Sequence, residues 1–220
     1  MSRERTPIHV PACVLGLAGT VLVSSVHAGT VISEALYDAA ATDNGNVFVE
    51  LFGTPGTVLD GLSLEGVNGT DGSVYLTQAL TGVIPGDGVF LIADDSGDGT
   101  TLVGDADLVL DIDFQNGPDS IVLRDGAGVL DALGYGDFTT AVFAGEGGAA
   151  PDAPAGSSLA RLDPLTDGND NLGDFVVLGT PTPGSVPVVS AVPLPPALGL
   201  FLSGIVGLFG VSRNRAGPAD

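Results

Sequence analysis

Nine turn-forming dipeptides punctuate this 220-residue chain. Asp-Gly begins at Asp60, Asp71, Asp87, Asp98, Asp125 and Asp167, and Asn-Gly at Asn44, Asn68 and Asn116. Asp and Asn side chains bond the backbone just ahead of them, and glycine accepts a positive φ, so each pair favours a tight reversal. The intervening stretches are short and apolar or alternating. Within 47–52, Val47, Val49 and Leu51 alternate with Phe48, Glu50 and Phe52, the two-residue period of a strand. The pattern predicts strands over 31–37, 46–52, 62–64, 73–76, 89–93, 108–112, 120–123, 129–135, 158–162 and 175–178. No stretch between them keeps a 3.6-residue period with helix caps. Many short strands with turns at this spacing predict an all-β sandwich or barrel.

The two ends of the chain follow different rules. Arg3 and Arg5 precede a mostly apolar run over 10–23, and Val26-His27-Ala28 offers small residues for cleavage. That is the layout of a secretory signal peptide over 1–28, removed after Ala28 by the secretion machinery. Near the other end, Val192-Pro193-Leu194-Pro195-Pro196 precedes an uncharged apolar run over 197–211, followed by Arg213 and Arg215 in a basic stretch over 212–220. The prolines cannot join a helix interior or a sheet ladder, so they keep 185–196 extended and accessible. The apolar run predicts a short transmembrane helix, and the two arginines favour a cytoplasmic far end. A typical spanning helix uses roughly 20 apolar residues. The shorter run here suits a transient hold better than a permanent anchor.

The stretch between the ends keeps twenty-five of the 27 acidic residues and two of the six basic ones, Arg124 and Arg161, for a net charge of about −23. Such a surface repels phosphate backbones and disfavours nucleic acid. It suits divalent cations, saline surroundings or a cationic partner. Both histidines and the single cysteine precede residue 29, and the chain has no lysine or tryptophan. A Ser-His or Cys-His nucleophile pair is therefore excluded from the body, as are the usual nitrogen and sulfur ligands of zinc. Carboxylates and hydroxyls are the reactive groups left, and the chain reads as a non-enzyme. The two arginines are expected to pair with nearby carboxylates.

Two resemblances follow from motifs in order. The tail resembles the PEP-CTERM family of C-terminal sorting signals in its VPLPA variety, with Pro196 where that variety usually has Ala. The resemblance implies recognition by an exosortase, a membrane transpeptidase that passes its substrate to the envelope surface. The body carries Val31-Ile32-Ser33-Glu34-Ala35-Leu36-Tyr37-Asp38, Phe48-Val49-Glu50-Leu51 and Leu59-Asp60-Gly61-Leu62-Ser63-Leu64. Further on come Ile84-Pro85-Gly86-Asp87-Gly88-Val89-Phe90, Asp119-Ser120-Ile121-Val122-Leu123-Arg124-Asp125, Ser158-Leu159-Ala160-Arg161-Leu162-Asp163-Pro164 and Thr180-Pro181-Thr182-Pro183-Gly184. Over 30–184 this order resembles the lamin-tail domain. The resemblance implies an immunoglobulin-like β-sandwich that serves mostly as an accessory module. The chain departs from the family pattern at Leu62, where tryptophan is usual, at Gly53, where asparagine is common, and at Phe175, the closing aromatic.

Candidate sites are acidic. Asp163, Asp167, Asn169, Asp170 and Asp174 crowd oxygens around a glycine turn, as a Ca²⁺ site needs, although the spacing is not that of an EF-hand loop. An Asx-turn loop is the competing reading. Asp94, Asp95 and Asp98 form a second acidic turn. Asp105, Asp107, Asp111 and Asp113 form a third group, with Asp111 and Asp113 expected on one solvated face. Glu34 and Glu50 could pair as acid and base across neighbouring strands. Asn68-Gly69-Thr70 fits a glycosylation acceptor and equally a plain turn. No cofactor is required by these readings, and Ca²⁺ is the one ion they suggest.

The leading expectation is thus an exported cell-surface or matrix protein, structural or adhesive, with envelope polysaccharide as a candidate partner. A Ca²⁺-dependent adhesion module and a carboxylate-based hydrolase are the alternatives.

Overall fold

The computed structural model describes residues 29–139 and 142–186. The expected leader over 1–28 with its cleavage site at Ala28, the motif over 192–196, the apolar run over 197–211, and Arg213 and Arg215 lie outside the described residues. Among the described residues, no helix is long and apolar enough to cross a membrane.

The described residues form ten strands and one helical turn in order: β1 (Val31–Leu36), β2 (Phe48–Phe52), β3 (Ser63–Asn68), β4 (Val74–Ala79), β5 (Val89–Asp94), β6 (Leu108–Leu110), β7 (Asp119–Arg124), β8 (Val129–Tyr135), β9 (Ser158–Arg161), α1 (Asn171–Asp174) and β10 (Phe175–Leu178). They build a six-stranded sheet, β10-β9-β1-β2-β5-β6, and a four-stranded sheet, β4-β3-β7-β8. Every pairing is antiparallel except β5 with β6. The all-β sandwich expected from the turn pattern is the observed architecture.

Alternation places the core between the sheets. Ile32, Val49, Leu51 and Ile92 from one sheet meet Leu64, Ile121, Leu123 and Leu133 from the other, all without solvent exposure. Each such side chain contributes about 1.5–3 kcal/mol by leaving water. Turn chemistry joins the strands. Gly72 takes φ 76° as β3 turns into β4, a conformation that a Cβ would strain. At Asp125-Gly126 the carboxylate does the work instead, accepting from Ala127 and Gly128 N–H.

The six-stranded sheet is unusual in being buried on both faces: β1 and β5 are buried at every position. On its outer face, Leu36, Phe48 and Leu91 form a second cluster with Val103 and Ala106 of the β5–β6 connection. Farther along that face lie Glu34 and Glu50.

Candidate functional site

Two buried polar centres flank β1, and each has a local cause. In the β1–β2 ladder the register shifts between Ile32 and Glu34. The β1–β9 ladder pairs Glu34 with Ala160 and Ala35 with Leu159. At the edge of that ladder, the backbone groups of Ile32 are met by side chains. Ile32 N–H donates to Asp131 Oδ2 at 2.6 Å, and Ile32 C=O accepts from Arg161 Nε at 3.0 Å.

Arg161 is the hub of the first centre. It has no solvent exposure, yet its guanidinium is fully bonded. Nη2 donates to both oxygens of Asp131 at 2.8 and 2.7 Å, and Nη1 donates to Asp167 and Asp174, each at 3.2 Å. Its flat face lies 4.6 Å from the Phe175 ring centre, a cation–π contact that covers the remaining surface. Asp131 stands on β8 opposite Leu123 of β7, in the alternation that points Leu123 and Leu133 into the core. The ion pair therefore joins the two sheets across the interior.

Glu146 completes this centre. Its carboxylate lies where one oxygen each from Asp131, Glu146 and Asp167 fall within 4.8 Å of one another. Glu146 Oε2 is buried with no hydrogen-bond partner among the described residues. Burial, and then the charges of Asp131 and Asp167, push the Glu146 carboxyl up to about 7. Burial also pulls the Asp131 carboxyl upward, against Arg161 and the Ile32 N–H. With those donors fixed on Asp131, Glu146 is the group of the pair that no donor holds in its charged form.

The loop after β9 is drawn into this network. Asp167 and Asp174 meet at Arg161 Nη1, and Asp174 Oδ2 also accepts from Gly168 N–H. Asp163 accepts from Leu165 N–H and the Thr166 hydroxyl, and Asp170 Oδ1 accepts from Gly148 N–H. Asn169 sits at φ 51° and donates its N–H to Asp167. Two of the five residues read as oxygen ligands thus converge, and they converge on a guanidinium. The other three serve the turn or a neighbouring loop. Arg124 pairs with Glu65 at 3.1 Å in a partly exposed contact.

The second centre holds Glu34 and Glu50, direct register partners on β1 and β2 and both without exposure. Glu34 accepts from the Ser158 hydroxyl at 2.5 Å, from Thr182 N–H at 2.9 Å and from the Thr182 hydroxyl at 2.5 Å. Glu50 accepts from the Ser33 hydroxyl at 2.8 Å and from Gly184 N–H at 2.9 Å. Burial, with a smaller push from Glu34, raises the Glu50 carboxyl to about 7 against the lowering effect of the Ser33, Gly184 and Ser185 bonds.

No family model, curated protein or solved structure matches this chain. Several other acidic groups serve local structure. Asp94 Oδ2 accepts from Gly45 N–H and Oδ1 from Ile112 N–H, which ends the β6 ladder at Leu110 and draws the next residues inward. Asp95 caps Gly97, Asp98 and Gly99, while Asp107 accepts from Leu91 N–H. Asp111 and Asp113 are exposed, and Ile112 and Phe114 between and beyond them are buried. Asp105 takes φ 57° in its turn. Asn68 Oδ1 accepts from Thr70 N–H, the geometry of an Asx turn.

Sequence reasoning singled out Glu34 and Glu50 as a pair but missed Asp131 and Glu146. The signal for Asp131 was present: in Val129-Leu130-Asp131-Ala132-Leu133 a carboxylate occupies an inward beat of the alternation. A charge in that place needs a partner, and the body has two cations to choose from. Glu146, in a Gly-rich connection, carries no comparable signal.

Proposed function

We propose that this chain is an exported cell-surface or matrix protein, built around a non-catalytic sandwich of the immunoglobulin-like, lamin-tail type. In this reading the leader over 1–28 brings it across the membrane. The proline motif over 192–196 and the apolar run over 197–211 hand it to an exosortase-type transpeptidase, and Arg213 and Arg215 stay on the cytoplasmic side.

The observation that carries the non-catalytic part is the state of Glu34 and Glu50. They are the one carboxylate pair that the sequence offered for acid–base hydrolysis. Both are fully buried, and their oxygens accept from Ser158, Thr182, Ser33 and Gly184. A hydrolase of this kind needs an open cleft with space for a sugar and a water between its carboxyls. Here the chain itself fills that place. Arg161 likewise supplies the positive charge at the acidic loop, so the fold satisfies these carboxylates without a ligand.

Fractionation of the producing cell tests the proposal. The protein is expected in the envelope or the medium, accessible to protease added outside intact cells. Recovery wholly from the cytosol, protected from external protease, overturns it.

A further inference from the structure

The chain leaves β10 at Leu178, at the position opposite Ser158 of β9. It then crosses the outer face of the six-stranded sheet along the strand order, transverse to the strands themselves. Thr182 bonds to Glu34 on β1 and Gly184 to Glu50 on β2, and a Cβ on Gly184 would lie 3.9 Å from Leu91 on β5. We propose that residues 179–186 form a releasable strap and that Glu34 and Glu50 are the latch that holds it to the sheet.

The attachment is polar, not apolar. Pro183, Gly184 and Ser185 are exposed, and the buried main core takes no residue beyond Phe175. Pro181 and Pro183 have no N–H to give to a ladder, so the strap cannot become an eleventh strand through those positions. A segment with few buried apolar contacts opens at a small fraction of the global unfolding free energy. Opening leaves the sandwich intact.

The latch has a built-in opponent. Glu34 and Glu50 stand side by side under the strap, and covering them withholds water from both. The charged group facing Glu50 is Glu34 from β1. From β5 it is opposed by Leu91, from its own ladder by the Ser33 hydroxyl, and from the strap by the N–H groups of Gly184 and Ser185. No cation is among these neighbours. The strap N–H groups favour the Glu50 carboxylate, but the burial that the strap helps to impose outweighs them, so loss of the proton favours the hydrated, open state, and a proton affinity held up to about 7 puts the change in a neutral range. Release would lengthen the tether between the sandwich and everything after residue 186 by up to about 25 Å, given about 3.3 Å per extended residue. The latch goes beyond the export reading and stands whether or not that reading holds.

Amide hydrogen exchange on the full chain in detergent micelles tests it, with rates corrected for the intrinsic effect of pH. Between pH 5 and pH 8, protection of Thr182 and Gly184 is expected to fall by about tenfold or more, as for a one-unit difference in proton affinity between docked and open states. Val49 and Leu51 keep theirs. Glu50→Gln is expected to hold the strap docked at both pH values, and Thr182→Val to weaken it at both. Thr182 and Gly184 exchanging as slowly as Val49 and Leu51 throughout would make the strap part of the core and overturn the proposal. Protection that is equal at the two pH values in the unmodified chain also overturns it, even if the variants fail to fold.

Discussion

Arg161 illustrates how one side chain can be both costly and necessary. Burying a guanidinium is unfavourable unless its donors are met, and here Asp131, Asp167, Asp174 and the Ile32 carbonyl meet them. Removing it strands at least one carboxylate inside. Arg161→Ala is expected to lose about 3–5 kcal/mol of stability, measured by denaturant unfolding. Arg124→Ala, at a partly exposed pair, should cost under about 1 kcal/mol. Glu50 and Glu146 set the pH dependence. Each holds its proton up to about 7, whereas an unfolded glutamate releases it near 4.5. A group with raised folded affinity stabilises fully below the unfolded value and loses that contribution as pH rises through the folded one. Thermal midpoints should thus decline between about pH 4.5 and 7 and level off above. Glu146→Gln should flatten part of that slope and raise the midpoint at pH 8. A midpoint that climbs from pH 5 to 8 would contradict both assignments.

At the scale of elements, strand existence was legible and strand environment was not. All ten runs read from turns and alternation are strands, and 129–135 and 175–178 have the expected bounds. The third and fourth run on to Asn68 and Ala79, because a bulge at Gly66 and Val67 keeps β3 and β4 paired through polar positions that break the apolar signal. Alternation also hid α1, a single turn after Asp170 that is too short to show a helical period. What alternation could not show was that the outer face of β1, β2 and β5 is covered. Its cover comes from residues far along the chain, Val103 and Ala106 on one side and the strap on the other. Glu34 and Glu50 therefore look like an open pair in sequence and are a closed one in the fold. Core positions should behave more simply. Leu51→Ala, at a site with no exposure between the sheets, is expected to cost about 2–5 kcal/mol.

Across the whole molecule, charge is the dominant property. A body near −23 with two arginines, both already paired, repels itself at long range. Raising monovalent salt shortens the reach of that repulsion, since the Debye length falls from about 10 Å at 0.1 M to about 3 Å at 1 M. The melting midpoint should climb with sodium chloride. Calcium at matched ionic strength should add nothing beyond that rise, because Arg161 already neutralises the loop around Asp167 and Asp174. A clear calcium-specific shift, reversed by chelator, would favour the adhesion module instead. The same charge suits the proposed export of the chain to saline surroundings outside the cell. Mass spectrometry of the terminal peptides of the protein recovered from its producing cell tests it most directly. The account predicts an N-terminus at Gly29 and a C-terminus cut within or just after 192–196, with no peptide from 213–220 on the mature chain. Intact peptides from both 1–28 and 197–220 on the mature protein would contradict it.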